Sequence, residues 1–279
     1  MKSYLSHSFD PQELPAVFDE LPLWSAPFGL RLLDAINYTP GLCMIDIGCG
    51  NGFPLTELAM RLGPTSKVYG IDPWTEALAQ VRRKLNYYDI HHVQLIEGVS
   101  EHIPLDLESI DLITSNNGLN NVSDVRLSIA ECARVLRTGG RMVQTMNTAG
   151  TMIEFYRELE HYLIECGLEE CVEAMHHHIR GKRPPVAEIV TKMQACGFRI
   201  EAIHPHEFHY HFANGTAMFN HYFIRLAFMD SWKKLIPEDR IEEAFDYLEN
   251  TFNNKAAAAG SIRLTIPFVL IDAVKDKVI

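Results

Sequence analysis

Apolar positions along this chain follow two rhythms, short unbroken runs and longer stretches with apolar residues every three or four positions. Cys43, Met44, Ile45 and Ile47 form a run of the first kind; Leu55, Leu58, Ala59 and Leu62 form a stripe of the second, stopped by Gly63-Pro64. The same alternation repeats. Strands are predicted over Lys67–Ile71, Val93–Ile96, Ile110–Ser115 and Arg141–Met146. Helices are predicted over Thr75–Leu85 and around Ile129, Cys132, Ala133 and Leu136, the latter capped by Ser123. Strand-then-helix repetition of this kind predicts a doubly wound α/β sheet. Further on, a helix over Pro184–Cys196 precedes a strand over Gly197–Ile203, and Leu264–Val274 is apolar enough for a buried last strand.

Between the first strand and its helix lies a glycine-dense turn, Gly48-Cys49-Gly50-Asn51-Gly52. Glycines there let the backbone approach a ligand closely, and the following helix N-terminus offers N–H groups to an anion. A dinucleotide fingerprint needs its third glycine at position 53, which is Phe53. Here that glycine comes one residue early, and an acid, Asp46, stands two residues before the first. Asp72 ends the second strand about 20 residues beyond the turn, placed to accept hydrogen bonds from a ribose diol.

The D-x-G-x-G-x-G arrangement resembles motif I of the class I S-adenosylmethionine (SAM)-dependent methyltransferases. From residue 40 to about 147, further landmarks occur in that family's order. Pro73 and Trp74 follow Asp72 where an apolar surface covers adenine, although Trp74 also suits a helix-packing role. Gly98-Val99-Ser100 stands at the family's Gly-Asp-Ala position, with Val99 in place of the acid, so that backbone contacts from Val99 and Ser100 would read the ring edge. Asn116, just after the fourth strand, occupies the motif IV position. No proline follows it, unlike the Asn/Asp-Pro-Pro-aromatic motif of enzymes acting on DNA adenine or protein glutamine. Arg134-Val135-Leu136-Arg137-Thr138-Gly139-Gly140 matches the family's helix-to-strand turn. The resemblance is to small-molecule enzymes of the ubiquinone/menaquinone-biosynthesis type. It implies a seven-stranded, mostly parallel sheet whose antiparallel last strand lies between strands five and six. It also implies SAM as cofactor and a site made of Asp46, Gly48, Cys49, Gly50, Asp72, Pro73, Trp74, Gly98, Val99, Ser100 and Asn116.

This frame divides the chain into a SAM-binding core at 39–147, a core helix and sixth strand at 184–205, and a last strand at 263–279. Residues 1–38, 148–183 and 206–262 remain to build a largely helical, aromatic-rich cap. The segment 1–38 suits either an extension packed on the sheet edge or part of a lid. Helix signals in the insertions are Ile153, Tyr156, Leu159 and Leu163 at helical spacing and the stretch Pro237–Phe252.

Composition narrows the partners. A net charge of −11 argues against a phosphate-backbone partner, and no apolar run approaches a membrane span. Six dispersed cysteines read as reduced thiols of a cytoplasmic protein. Nine of the 13 histidines lie between His161 and His221. The run His176-His177-His178 points its members apart and no carboxylate-rich loop completes a ligand set, so no metal is assigned. In the alternating stretch after His204, His209 and His211 share one strand face. Histidine titrates near neutral pH, which makes these two the candidate proton acceptors, with His7 in reserve. The expected function is methyl transfer from SAM to an oxygen, nitrogen or carbon of a small molecule, leaving S-adenosylhomocysteine. A non-catalytic module binding SAM or S-adenosylhomocysteine is the alternative, and an NAD-linked oxidoreductase is disfavoured by Phe53.

Overall fold

The computed structural model describes residues 2–6 and 22–276. Seven strands make one sheet: β1 (Cys43–Ile47), β2 (Lys67–Asp72), β3 (Val93–Glu97), β4 (Ile110–Asn116), β5 (Leu136–Asn147), β6 (Phe198–Phe212) and β7 (Ile262–Lys275). Their order across the sheet is β3-β2-β1-β4-β5-β7-β6. β1 pairs in parallel with β2 and β4, and β5 pairs antiparallel with β7, as the resemblance implies. The longer helices are α1 (Pro22–Ala35), α2 (Leu55–Leu62), α3 (Thr75–Tyr87), α4 (Val125–Val135), α5 (Ile153–Glu165), α6 (Glu169–Lys182), α7 (Val186–Ala195), α8 (Gly215–Asn220) and α9 (Ile241–Ala259), with short helical turns at Ser3–Ser6, at Gly118–Asn121 and between α8 and α9.

Two compact units divide the chain. The first contains 22–147, 185–206 and 268–276 of the described residues. Its core has two layers, one on each face of the sheet. Leu55, Leu58, Ala59 and Leu62 of α2 pack with Leu78, Val81 and Leu85 of α3 and with Leu32 and Leu33 of α1. On the other face, Ile129, Cys132 and Ala133 of α4 meet Ile189 and Met193 of α7. Burial from both sides explains why β1 is an unbroken apolar run apart from Asp46.

The second unit holds 2–6, 148–184 and 207–267 of the described residues and is mostly helical. Its interior is aromatic. Phe155 stacks on fully buried Trp232 with ring centroids 3.6 Å apart, and Phe219 sits among Tyr4, Phe245 and Phe252. Residues 2–6 are tied in through Glu249, which accepts hydrogen bonds from Tyr4 Oη at 2.7 Å and Thr216 Oγ1 and pairs with Lys2.

Several sequence expectations change in detail. Ser123 does not cap α4; the cap is Asp124, whose carboxylate accepts from Leu127 N at 3.0 Å. Thr138-Gly139-Gly140 falls within the span of β5, which begins at Leu136, but as an irregularity: Leu136 pairs with Ile110 and Arg141 with Leu112, and Gly139 between them has φ 79°. The sixth strand does not stop at Ile203; it runs on through the alternating histidines to Phe212. His176–His178 lie on α6, a helix that the alternating pattern did not single out.

Candidate active site

Gly48, Gly50 and Gly52 all have positive φ, at 71°, 48° and 97°. Side chains on all three would be strained, so the turn between β1 and α2 depends on glycine. A Cβ on Gly50 would meet nothing within 4 Å, so the turn is open on that side. Its N–H groups, by contrast, are engaged. Gly48 N and Cys49 N both donate to Ile71 O, Gly52 N donates to Cys49 O, and Gly50 N donates to Asp72 Oδ2 at 2.8 Å. The amides of residues 48, 49, 50 and 52 are therefore already bonded within the protein. A pyrophosphate would compete with these bonds, which adds a geometric reason against a dinucleotide to the one given by Phe53.

Asp72 ends β2 and is held on both oxygens by backbone, from Gly50 N and from Trp74 N at 2.9 Å. Each oxygen retains acceptor capacity for a hydroxyl, and the two bonds fix the carboxylate's orientation. Gly98 N donates to Asp72 O at 3.1 Å, which joins the loop after β3 to the same point. Beside it Val99 is exposed, while Ser100 is buried and donates to Ser128 Oγ at 2.9 Å. Pro73 is exposed and Trp74 half-buried at the start of α3.

Asp46 lies beneath the turn at 1% exposure. Its Oδ1 accepts from Thr114 Oγ1 at 2.7 Å, and its Oδ2 has no partner. Burial pushes the carboxyl up to about 7; the charge of Asp72 adds to this and the Thr114 bond opposes it. An orphaned, buried carboxylate oxygen under an open glycine turn is a costly arrangement without a ligand, and a cationic or hydroxyl-bearing ligand would relieve it. These residues fit SAM, whose sulfonium and amino groups are cationic.

Asn116, at the end of β4, accepts from Thr145 Oγ1 at 3.0 Å and donates to Ser25 O at 3.2 Å. The asparagines after it form a relay whose orientation is fixed by one backbone donor. Asn147 N donates to Asn117 Oδ1 at 3.0 Å, so the Asn120 atom 2.6 Å from that oxygen must be Nδ2. Asn120 Nδ2 also donates to Asn147 Oδ1. Sequence reasoning did not single out Gly118, yet this glycine is required: its Cβ would fall 2.3 Å from Ile47 O and 3.1 Å from Gly48 Cα. Also missed was Glu101, whose Oε1 accepts from Ser123 N and Asp124 N and so anchors the start of α4. Gly118 sits visibly in the run Asn116-Asn117-Gly118-Leu119-Asn120-Asn121; the role of Glu101 has no local signature.

The structure thus joins Asp46, Gly48, Cys49, Gly50, Asp72, Trp74, Gly98 and Asn116 through the carboxyl ends of neighbouring strands β3, β2, β1 and β4. An open groove of about 510 Å³ between α1, α2 and α3, lined by Leu30, Phe53, Met60, Lys84 and Tyr88 among others, includes none of these residues. His209 and His211 belong to the helical unit, with ring centroids 6.2 Å apart on one strand face. His209 Nε2 lies 3.2 Å from Glu207 Oε1, and its buried Nδ1 has no partner. His7 lies outside the described residues. Among the described residues, no three His, Cys, Asp or Glu side chains are grouped to hold a metal ion, and no helix is long and apolar enough to cross a membrane.

Residues 45–144 match the family model described as a methyltransferase domain. The chain is 28% identical over 154 residues to demethylmenaquinone methyltransferase of Lactococcus lactis, an alignment covering 55% of this chain and 59% of that protein. It spans about half the length of the curated relatives it matches. Among solved structures, the YcgJ protein from Bacillus aligns with a TM-score of 0.56 at 20% identity, over 90% of this chain and 99% of that one. Geranyl diphosphate C-methyltransferase from Streptomyces coelicolor, solved with Mg2+, geranyl diphosphate and S-adenosyl-L-homocysteine, aligns with a TM-score of 0.55 at 17% identity, over 99% and 88%. The strand order, the glycine turn above Asp46 and these matches agree: residues 45–144 match the methyltransferase-domain family, and this part of the chain resembles the class I SAM-dependent methyltransferases of quinone biosynthesis.

Proposed function

We propose that this chain transfers a methyl group from SAM to a nucleophilic oxygen, nitrogen or carbon of a small molecule. The observation that carries the proposal is the open glycine turn set between two carboxylates, Asp46 with an orphaned oxygen and Asp72 with a fixed orientation. A small-molecule acceptor is supported by the relatives, one named for demethylmenaquinone and one solved with geranyl diphosphate. When bound, SAM supplies an electrophilic methyl on a sulfonium sulfur. In this proposal Asp72 accepts from the ribose hydroxyls, and Val99 and Ser100 meet the adenine edge beside Pro73 and Trp74. Asp46 holds negative charge beneath the turn, and Asn116 borders the reacting end. What remains for the protein is alignment of the nucleophile and exclusion of water.

Where the nucleophile carries a proton, His209 is the proposed acceptor. The Glu207 carboxylate, with Oε1 3.2 Å from Nε2, electrostatically favours the proton on that nitrogen, which leaves the lone pair on Nδ1, the atom without a partner. His211 is the second candidate.

S-adenosylhomocysteine is expected to raise the melting temperature of the protein through binding to the folded state, and NAD is expected not to. Asp72→Asn keeps the side chain's size and removes its charge. Charge-assisted bonds of about 1.5–3 kcal/mol make the expected loss of S-adenosylhomocysteine affinity at least about tenfold. An unchanged affinity in calorimetry would remove Asp72 from the site, and stabilisation by NAD alone would remove the methyltransferase reading. Once an acceptor with an ionisable proton is found, His209→Gln should lower kcat by about 10²–10⁴-fold while leaving SAM affinity intact. Full turnover by this variant and by His211→Gln would exclude histidine as the base.

A further inference from the structure

Arg183 follows the last turn of α6 in the helical unit and is only 7% exposed. Two of its guanidinium nitrogens, Nε and Nη1, are sealed from solvent and have no hydrogen-bond partner. Among the described residues no carboxylate pairs with it. A buried lysine could escape such a position by losing its proton; a guanidinium stays charged at every accessible pH. A buried unpaired charge is among the costliest features a fold can carry, so such groups are normally found paired or bound.

The local surroundings are cationic as well. The stretch from His176 to Arg183 reads His-His-His-Ile-Arg-Gly-Lys-Arg. His176 has an acid partner, Glu160, at 2.9 Å. Exposed Lys182 has none among the described residues. The half-buried imidazole of His178, four and five positions before Lys182 and Arg183, is held below its ordinary range by desolvation and then by the charges of Arg183 and Lys182. Elsewhere in this acidic chain cations are widely matched to carboxylates, as Arg134 is to Glu131 and Arg141 to Asp272.

We propose that Arg183 anchors an oxyanion-binding site in the helical unit, taking the carboxylate or phosphate group of a small molecule, with Lys182 and His178 as flanking groups. Two orphaned nitrogens call for more than one acceptor oxygen, which a polyatomic oxyanion has and chloride lacks. The site does not depend on methyl transfer, and its test requires no cofactor.

The full chain is titrated with inorganic phosphate and, separately, with sodium acetate, against sodium chloride at matched ionic strength, and its melting temperature is followed. Saturable stabilisation of roughly 2–4 °C by phosphate or acetate beyond chloride is expected, and the more effective anion identifies the preferred group. Arg183→Met removes the charge and keeps the length. It should abolish the anion-specific shift, and without anion it should melt at or above the parent temperature, because an uncompensated buried charge is gone. No anion-specific shift in the parent, or an equal shift in Arg183→Met, overturns the proposal. Should Arg183→Met fail to fold, Arg183→Lys keeps a charge without the planar donors. A midpoint at least fivefold higher then supports the site, and an unchanged midpoint overturns it.

Discussion

Replacing Asp46 by asparagine is expected to make the protein more stable at pH 8 and weaker at binding its cofactor. Burial raises the Asp46 carboxyl to about 7, against an ordinary value near 3.9. A raised carboxyl means that the folded state binds the proton more tightly than the unfolded state between those values. Stability from this group is therefore greatest at low pH and falls as pH rises from about 4 to 7. Three pH units correspond to about 4 kcal/mol, an upper figure for the penalty above pH 7. An amide in its place does not titrate, so Asp46→Asn should lack this pH-dependent loss and exceed the parent by a few kcal/mol at pH 8. Denaturant unfolding at pH 5, 6, 7 and 8 reads the difference directly, and parallel profiles for the two proteins would show that Asp46 does not titrate in this window. The second half of the expectation concerns the ligand. If the orphaned oxygen faces a cationic part of the cofactor, S-adenosylhomocysteine should bind Asp46→Asn at least about tenfold more weakly. Affinity for the parent should also rise with pH through 7 as the carboxylate forms. A stable variant with full affinity would make Asp46 a structural residue only.

Gly118→Ala is expected to be the most damaging single-methyl change in the sheet unit. The new Cβ would lie 2.3 Å from Ile47 O, 2.9 Å from Ser115 Oγ and 3.1 Å from Gly48 Cα. Two of these are backbone atoms of β1 and the glycine turn, which cannot swing aside as a long side chain can. Ser115 is fixed as well, since its hydroxyl donates to Ile47 O and accepts from Leu119 N. Overpacking generally costs about 1–3 kcal/mol, and a clash with backbone and a held side chain belongs at the upper end or beyond. At roughly 2–4 °C per kcal/mol, the melting temperature should fall by about 6–12 °C. Because the displaced atoms include Gly48, cofactor affinity should fall with it. Gly181→Ala is the matched control: nothing lies within 4 Å of its Cβ position and its φ is ordinary for a helix, so it should be neutral or slightly stabilising. Equal melting temperatures for Gly118→Ala and the parent would show that the two loops do not pack this tightly.

Much of the first unit is written locally. Apolar runs at Met44–Ile47 and stripes such as Leu55, Leu58 and Leu62 specify strand and helix because burial on a parallel sheet permits no polar interruption. Three glycines at positive φ mark a turn that no other residue type adopts without strain, and Asp46 and Asp72 are legible because they stand at fixed offsets from it. The helix signal at Ile153, Tyr156, Leu159 and Leu163 is equally local, and α5 covers it.

Other features follow from partners distant in sequence. That the Asp46 carboxyl is raised depends on complete burial, which outweighs the opposing hydrogen bond from Thr114, 68 positions away. The need for Gly118 arises from β1 passing beside β4, which no neighbouring residue announces. Ser123 and Asp124 are both good capping residues; Glu101, reaching across from the β3 loop to their N–H groups, accompanies the choice of Asp124. Continuation of β6 through His204–Phe212 follows from a place in the sheet, since alternating imidazole and aromatic rings alone fit a strand or a loop. Arg183 is the plainest case. A cation in a polar, histidine-rich stretch reads as solvated, and only tertiary packing buries it and leaves Nε and Nη1 unpaired.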